Sequence, residues 1–311
     1  MAKEGRFRKA VLFFLVVVFL FCFYSLGLTA TDRDYAAEMF AEQYSHELKQ
    51  AEEEEAPEAM ERAAAQEGPV SPGLTVDAAV RAAVAEYKEK EQGIESSFRA
   101  FYPELWLSAI YRTQNDFFGS LEGSFGRTLT EEEDWKSNGT YVHSNDLNFY
   151  FGTFRAQAGK GVIVQMLGDL HLAPFLGYGF NYMKFERSNN NVIGAFSRNV
   201  ANESYYTHHA DAGLKLDKKF GEKFFVSASG LYGYVFYNEA DNGNLGWIKG
   251  KGELITEANV NLKYFLTKQL KLLLGGFFDY QKLKGNTKDD VLWPNNELYV
   301  YGGQAGIELS Y

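Results

Sequence analysis

Counted back from the end of the chain, every second residue is apolar, aromatic or glycine: Tyr311, Leu309, Ile307, Ala305, Gly303, Tyr301, Tyr299. Between them stand Ser310, Glu308, Gly306, Gln304, Gly302 and Val300, mostly polar or small. Strict period-two alternation predicts a strand with one face in an apolar phase and the other in a polar one. The same period runs back to Phe117. Phe117, Gly119, Leu121, Gly123 and Phe125 open it, and Leu147, Phe149 and Phe151 continue it. Leu172, Leu176, Tyr178, Phe180 and Tyr182 form the next stretch, then Tyr206, Ala210, Ala212, Leu214 and Leu216. Phe224 to Phe236, Leu254 to Tyr264 and Leu270 to Tyr280 follow in the same phase.

The connections alternate in length. Lys218–Lys223 and Leu266–Gln269 are tight turns, whereas Thr128–Thr140, Asn189–Ser204, Asn238–Trp247 and Gly285–Asn296 are long and polar. Gly159–Leu170 reads as a longer turn on the tight-turn side, with room for a short helix. Counting from Phe117 predicts eight strands. Phe98 to Gln114 fits both a strand (Leu105, Leu107, Ala109, Tyr111) and a helix face, so ten is the second count.

The first hundred residues pattern differently. Lys3, Arg6, Arg8 and Lys9 precede an apolar run from Ala10 to Tyr24, which predicts a signal peptide over 1–30, with a retained anchor as the alternative. Residues 31–97 read as an acidic, partly helical segment. Phe40, Tyr44 and Leu48 recur at helical spacing. Thr75 stands as an N-cap before Val76, Ala79, Val80, Ala83, Val84 and Tyr87. The strand-forming domain is accordingly expected over 98–311.

Composition narrows the class. The chain holds 26 Phe, 20 Tyr and 30 Gly but 6 Pro, and a net charge of −10 argues against a nucleic-acid partner. Mean hydropathy is −0.30, which is compatible with a membrane barrel, because each strand shows only half its residues to lipid. The single cysteine, Cys22, lies in the N-terminal apolar run, so disulfides are not expected in the processed chain. No zinc spacing occurs among the five His, and Gly159-Lys160-Gly161 lacks a phosphate-loop frame; no cofactor or metal is expected.

A last strand that ends the chain on Tyr311, with Tyr299 and Tyr301 a strand-length away, resembles the C-terminal strand of bacterial outer-membrane β-barrels. The asymmetric connections match the same family, in particular the small OmpA/OmpX-like barrels. The resemblance implies an all-β, transmembrane, antiparallel up-and-down barrel in the outer membrane of a Gram-negative cell. The helical segment would lie in the periplasm. It makes Tyr299, Tyr301, Ile307, Leu309 and Tyr311 an assembly signal. The partners it implies are outer-membrane lipid and lipopolysaccharide, the barrel-assembly machinery, and an extracellular ligand at the long loops. The face opposite the lipid set holds charges of both signs. Glu122, Lys215, Lys251, Glu253, Glu257, Lys263, Asp279, Gln304 and Glu308 are expected to pair as a polar plug inside the barrel. The expected role is structural or surface interaction, with a small porin second.

A third reading is enzymatic. Glu132-Glu133-Asp134-Trp135 is similar to the acid-rich motif of the omptins, ten-stranded outer-membrane proteases. Their facing Asp-x-His is not matched at Asp241-Asn242-Gly243. His209 and Asp211, spaced by two in reversed order, are the remaining candidates for a base, which this chemistry needs near neutral pH. Asp169-Leu170-His171 has the right order but belongs to the opposite end of the barrel. The sequence therefore leans away from an enzyme.

The terminal strand carries a direct test. Deleting Tyr311 or replacing it with Asp is expected to abolish outer-membrane insertion. Gel analysis of heat-modifiable, membrane-embedded protein checks this, and wild-type levels in the mutant contradict it.

Overall fold

Almost every described residue from Gly73 to Ser310 is in a strand or a turn between strands. The computed structural model describes residues 72–91, 93–192, 201–243, 246–288, 291, 292 and 294–311. The signal-peptide reading and the helical pattern of Phe40, Tyr44 and Leu48 lie outside these residues. In chain order the strands are β1 (Gly73–Glu91), β2 (Ile94–Arg112), β3 (Phe117–Arg127), β4 (Glu131–Ser137) and β5 (Thr140–Lys160). Then come β6 (Val162–Val164), β7 (Leu170–Val192), β8 (Glu203–Phe220), β9 (Phe224–Asn242) and β10 (Gly246–Lys249). The last are β11 (Lys251–Phe265), β12 (Leu270–Lys284), β13 (Thr287–Lys288), β14 (Val291–Leu292) and β15 (Asn295–Ser310). A 3-10 turn, Gln165–Leu167, sits between β6 and β7.

Ten of these close an antiparallel barrel in the order β1, β2, β3, β5, β7, β8, β9, β11, β12, β15. The seam joins the two ends of the domain, with Thr75 opposite Ser310 and Lys90 opposite Asn295. β4 carries the line of β3 onward between β2 and β5, β10 extends the wall at β9, and β6 extends it at β7. β13 and β14 form a separate small hairpin.

Ten strands replace the expected eight, because residues 73–97, assigned by the sequence pattern to a helical segment, belong to the barrel as β1 and the start of β2. The reason lies in the alanines. On β1, Asp77, Ala79, Arg81, Ala83, Ala85, Tyr87 and Glu89 are buried in the interior, while Val76, Val80, Ala82 and Val84 face outward. Alanine serves both faces of this strand, so the apolar period of two is blurred into an Ala-rich, helix-like run. The ambiguous Phe98–Gln114 stretch is likewise strand through Arg112. The polar segment Thr128–Thr140, expected as a loop, is mostly β4, and it turns at Asn138-Gly139, both with positive φ.

Outward-facing residues form an apolar belt that includes Val80, Phe101, Leu107, Leu121, Phe125, Phe154, Leu176, Tyr232, Val260 and Leu274. At one end of the belt, aromatic and charged side chains take over: Glu86 and Arg99 beside Tyr301, Arg127 and Lys184 over Tyr150, Tyr280 against Tyr299. Beyond that ring the strands continue, most of all β4, β5 and β7. Gly73 and Tyr311 share the opposite end with the tight turns, and the Tyr311 amide donates to the Leu74 carbonyl (2.9 Å). Where β15 meets β1, Gly302 and Gly306 allow close approach: a Cβ there meets the Ala82 and Ala78 carbonyl oxygens at 1.9 and 2.0 Å.

Candidate functional site: the lumen and its outer mouth

Between the belt and the barrel axis the interior is a charged network. The Arg81 guanidinium pairs with Glu104 (2.9 Å), donates to Gln304 (2.8 Å) and lies over the Phe277 ring at 4.3 Å. Arg155 pairs with Glu257 (2.5 Å) and stands 3.7 Å from Glu122, which accepts from the Trp106 indole (2.9 Å). Lys263 and Lys271 both hold Glu308, and Lys263 also reaches Asp77 (3.5 Å). Each charge comes from one strand and its partner from another. A buried ion that loses its partner costs about 3–5 kcal/mol, so the pairs tie the wall together across the lumen.

Of the residues expected inside, Glu122, Lys215, Glu257, Lys263, Asp279, Gln304 and Glu308 face the lumen. Lys251 and Glu253 do not. A β-bulge between Gly252 and Leu254 reverses the phase of β11, so Lys251 is exposed and Glu253 pairs on the outer side with Lys282 (3.2 Å) and Lys284 (3.1 Å). Simple alternation, counted through a bulge, turns a residue to the wrong face. Tyr299, Tyr301, Ile307, Leu309 and Tyr311 lie on the outward face of β15, and Tyr311 is 47% exposed.

Above the ion pairs the lumen is closed by rings. Tyr87, Phe98, Phe149 and Phe185 come from four strands, and Tyr205 adds a fifth. Centroids are 4.8 Å apart for Tyr87–Phe185, 5.2 Å for Phe98–Phe149 and 5.7 Å for Phe185–Tyr205. Lower in the lumen lie a cavity lined by Glu122, Gln157, Lys215 and Glu257 and another lined by Arg155, Asn181, Asp279 and Gln281. Each offers about 10 Å³ to water, room for a single molecule.

Past the rings, and beyond the belt, Arg187 organises the outer mouth. Its Nε and Nη2 donate to the two oxygens of Glu133 (2.6 and 3.0 Å). Its Nη1 reaches Glu203 (3.2 Å) and the Ala201 carbonyl (2.8 Å). Ser96 and Asn145 also donate to Glu133 (both 3.1 Å), and the Trp135 indole donates to Asn145 (2.9 Å). Burial opposes the Arg187 charge, but Glu133 and Glu203 outweigh it and hold its pKa well above the ordinary range. Glu89 lies in the same cluster and accepts from the Tyr87 hydroxyl (2.9 Å). Burial, reinforced by the Glu203 charge and only partly countered by Arg187, raises its pKa to about 8. Arg187 and Glu133 were not singled out from the sequence as a pair. Glu133 sits in an acidic run that reads as a solvated loop, and Arg187 borders the Asn-rich stretch. The signal that could have found them is the alternation of β5, which persists through Leu147 to Asn145 and His143.

The omptin-like candidates are not brought together. Glu132 is exposed and Asp134 faces the same outer side, where it accepts from the Tyr141 hydroxyl. His209 and Asp211 face the lumen at belt level, bonded to each other (2.5 Å), with the His209 ring against Gly179. His171 is buried at the Tyr311 end, 2.6 Å from Asp116 and 3.5 Å from Asp217. Among the described residues no group of three acidic, His or Cys side chains is arranged to hold a metal ion.

The Glu89 environment has a pH signature. The fold keeps this carboxyl protonated at neutral pH, so it binds a proton that the unfolded chain releases near the ordinary Glu range. Its contribution to stability is therefore full at low pH and is lost as pH rises from about 4.5 to about 8. Glu89→Gln is expected to remove that loss, on the order of a few kcal/mol across the window. Melting of the folded band in heat-modifiability gels at several pH values checks this. A wild-type-like pH slope in the variant contradicts it.

No protein-family model and no curated protein matches the chain. Among solved structures, the outer membrane protease OmpT from Escherichia coli aligns over 77% of this chain and 97% of its own, at TM-score 0.57 and 10% identity. The translocator domain of the autotransporter NalP from Neisseria meningitidis aligns over 87% of this chain and 98% of its own, at TM-score 0.38 and 13% identity. Neisserial surface protein A aligns over 77% and 97%, at TM-score 0.32 and 14% identity. At these identities the likeness concerns fold alone, and the OmpT alignment carries it. The chain has the fold of the outer-membrane β-barrels.

Proposed function

We propose that this chain is a bacterial outer-membrane barrel with a structural or surface-interaction role and no open channel. The observation that carries the reading is the filled lumen. Ion pairs, the ring layer of Tyr87, Phe98, Phe149 and Phe185, and the Arg187 cluster succeed one another along the axis, with water-sized cavities between them. A permeant ion would have to displace paired charges or packed rings. The parts available to a partner are the outer wall of β4, β5 and β7 and the connections above them, with Glu132, Asp134, Lys136 and Tyr141 on the outward side. The aromatic and charged ring at the outer edge of the belt suits a lipopolysaccharide-bearing leaflet. The tight turns, Gly73 and Tyr311 belong to the periplasmic side in this reading, as does the segment before Gly73.

Planar-bilayer recording of the refolded protein tests the closed lumen. Silence is the expected outcome, and a steady single-channel conductance overturns it in favour of a small porin.

The likeness to OmpT raises the protease reading, which the side chains do not favour. A general base must come within hydrogen-bond reach of the attacking water. His209 is fully buried at belt level, and Asp134 lies outside the wall. Refolded protein, with lipopolysaccharide, is expected to leave peptides with paired basic residues intact. Cleavage that disappears in both Asp134→Ala and His209→Ala would establish the protease instead.

A further inference from the structure

We propose that the hairpin joining β5 to β7 is a lipid-docking surface that seats in the headgroup region of the leaflet at the Tyr311 end, with anionic phospholipid as its partner. The proposal rests on the membrane-barrel reading above. Turns between barrel strands at this end are otherwise short and polar, such as Gly221-Glu222-Lys223 and Thr267-Lys268-Gln269. This hairpin instead exposes Val162 (51%), Ile163 (50%), Met166 (97%) and Leu167 (55%) together. Val162 lies on the outward face and Ile163, opposite the lumen-facing His171, on the other, so exposed apolar side chains occupy both faces of the hairpin and its tip, and such a cluster in water marks an interaction site.

Register decides which phase it meets. Val162 pairs with Leu172 and Val164 with Leu170, so both valines continue the outward phase of Pro174 and Leu176 on β7. The hairpin thus prolongs the lipid-facing side of the wall. Met166 and Leu167 sit in the 3-10 turn at the tip, which Gly168 closes with φ 69°. Charge decides the partner. The Lys160 ammonium lies over the Phe117 ring at 4.8 Å. Lys218 lies over Phe220 at 5.3 Å and donates to the Leu167 carbonyl at 2.9 Å. Two cations on aromatic rings therefore flank the apolar tip, one of them fixed to its backbone. Asp169 is the acid within the hairpin, and Glu222 is offset by Lys223 in the adjoining turn. Apolar insertion beside ammonium groups is the chemistry that recognises an anionic lipid surface.

Met166→Cys in a Cys22→Ser background gives a single thiol for an environment-sensitive fluorophore, with the full barrel refolded into phosphatidylglycerol-containing or pure phosphatidylcholine vesicles. The label is expected to emit at shorter wavelength in the anionic vesicles and to be quenched by lipid brominated near the headgroup. Aqueous iodide should quench it weakly. Lys160→Gln with Lys218→Gln should abolish the difference between the two vesicle types. A second label at Leu176→Cys, in the belt, reports insertion of the barrel itself. Quenching of Leu176 by deeply brominated lipid, with Met166 quenched by iodide alone, overturns the docking surface while the barrel stands. Both labels in water overturn the barrel reading itself.

Discussion

The constraint on which this structure depends is that no charge inside a narrow closed barrel has water to fall back on. Half of every strand points inward, and ten strands bring those side chains to one axis. Arg81, Arg155, Lys263, Lys271 and Arg187 are each met by carboxylates from other strands. The pairs do little to make the barrel more stable than an apolar filling would. Their effect is to specify: a strand slipped by one residue would bury unpaired charges and turn its apolar side chains inward.

The same constraint explains the order of layers along the axis. Ion pairs occupy the belt region, where the other side of the wall is apolar. The aromatic layer lies next, and it separates the belt network from the outer mouth. At the mouth the Arg187 guanidinium serves three elements at once: β4 through Glu133, β8 through Glu203, and the connection before β8 through Ala201. Its own backbone amide donates to Asn202 (2.7 Å). Arg suits this position because its planar fork engages Glu133 by two bonds while a third nitrogen remains for other acceptors. Glu89 is the carboxyl left over, and its proton takes the place of a second cation.

Function follows from where the interior is full and where the surface is not. In the proposed reading, a barrel filled along its axis presents its chemistry on the outside: the polar wall beyond the belt at one end, and the apolar hairpin flanked by lysines at the other. The OmpT likeness extends to the course of the backbone. The acids and the histidine considered for a protease site do not share a side of the wall: Glu132 and Asp134 stand on one side and His209 on the other.

By itself the sequence pointed to a β-barrel, to the eight barrel strands from Phe117 onward, and to the inward face of most of them. Period two is a local property, and in β9, β12 and β15 large apolar side chains mark it without ambiguity. The number of strands was decided by tertiary structure. Alanine on both faces of β1 hides the period, and only the pairing of Asp77 with Lys263 and of Arg81 with Glu104 reveals an inward face. The placement of Lys251 and Glu253 was decided by a single bulge, which alternation cannot register. The Arg187 cluster was invisible for a related reason. Its members are separated by 54 residues between Glu133 and Arg187, and no local pattern links them. β4 and β7 both pair with β5, whose Asn145 stands between them, so the contact is made by the register of three strands that the sequence pattern does not reveal.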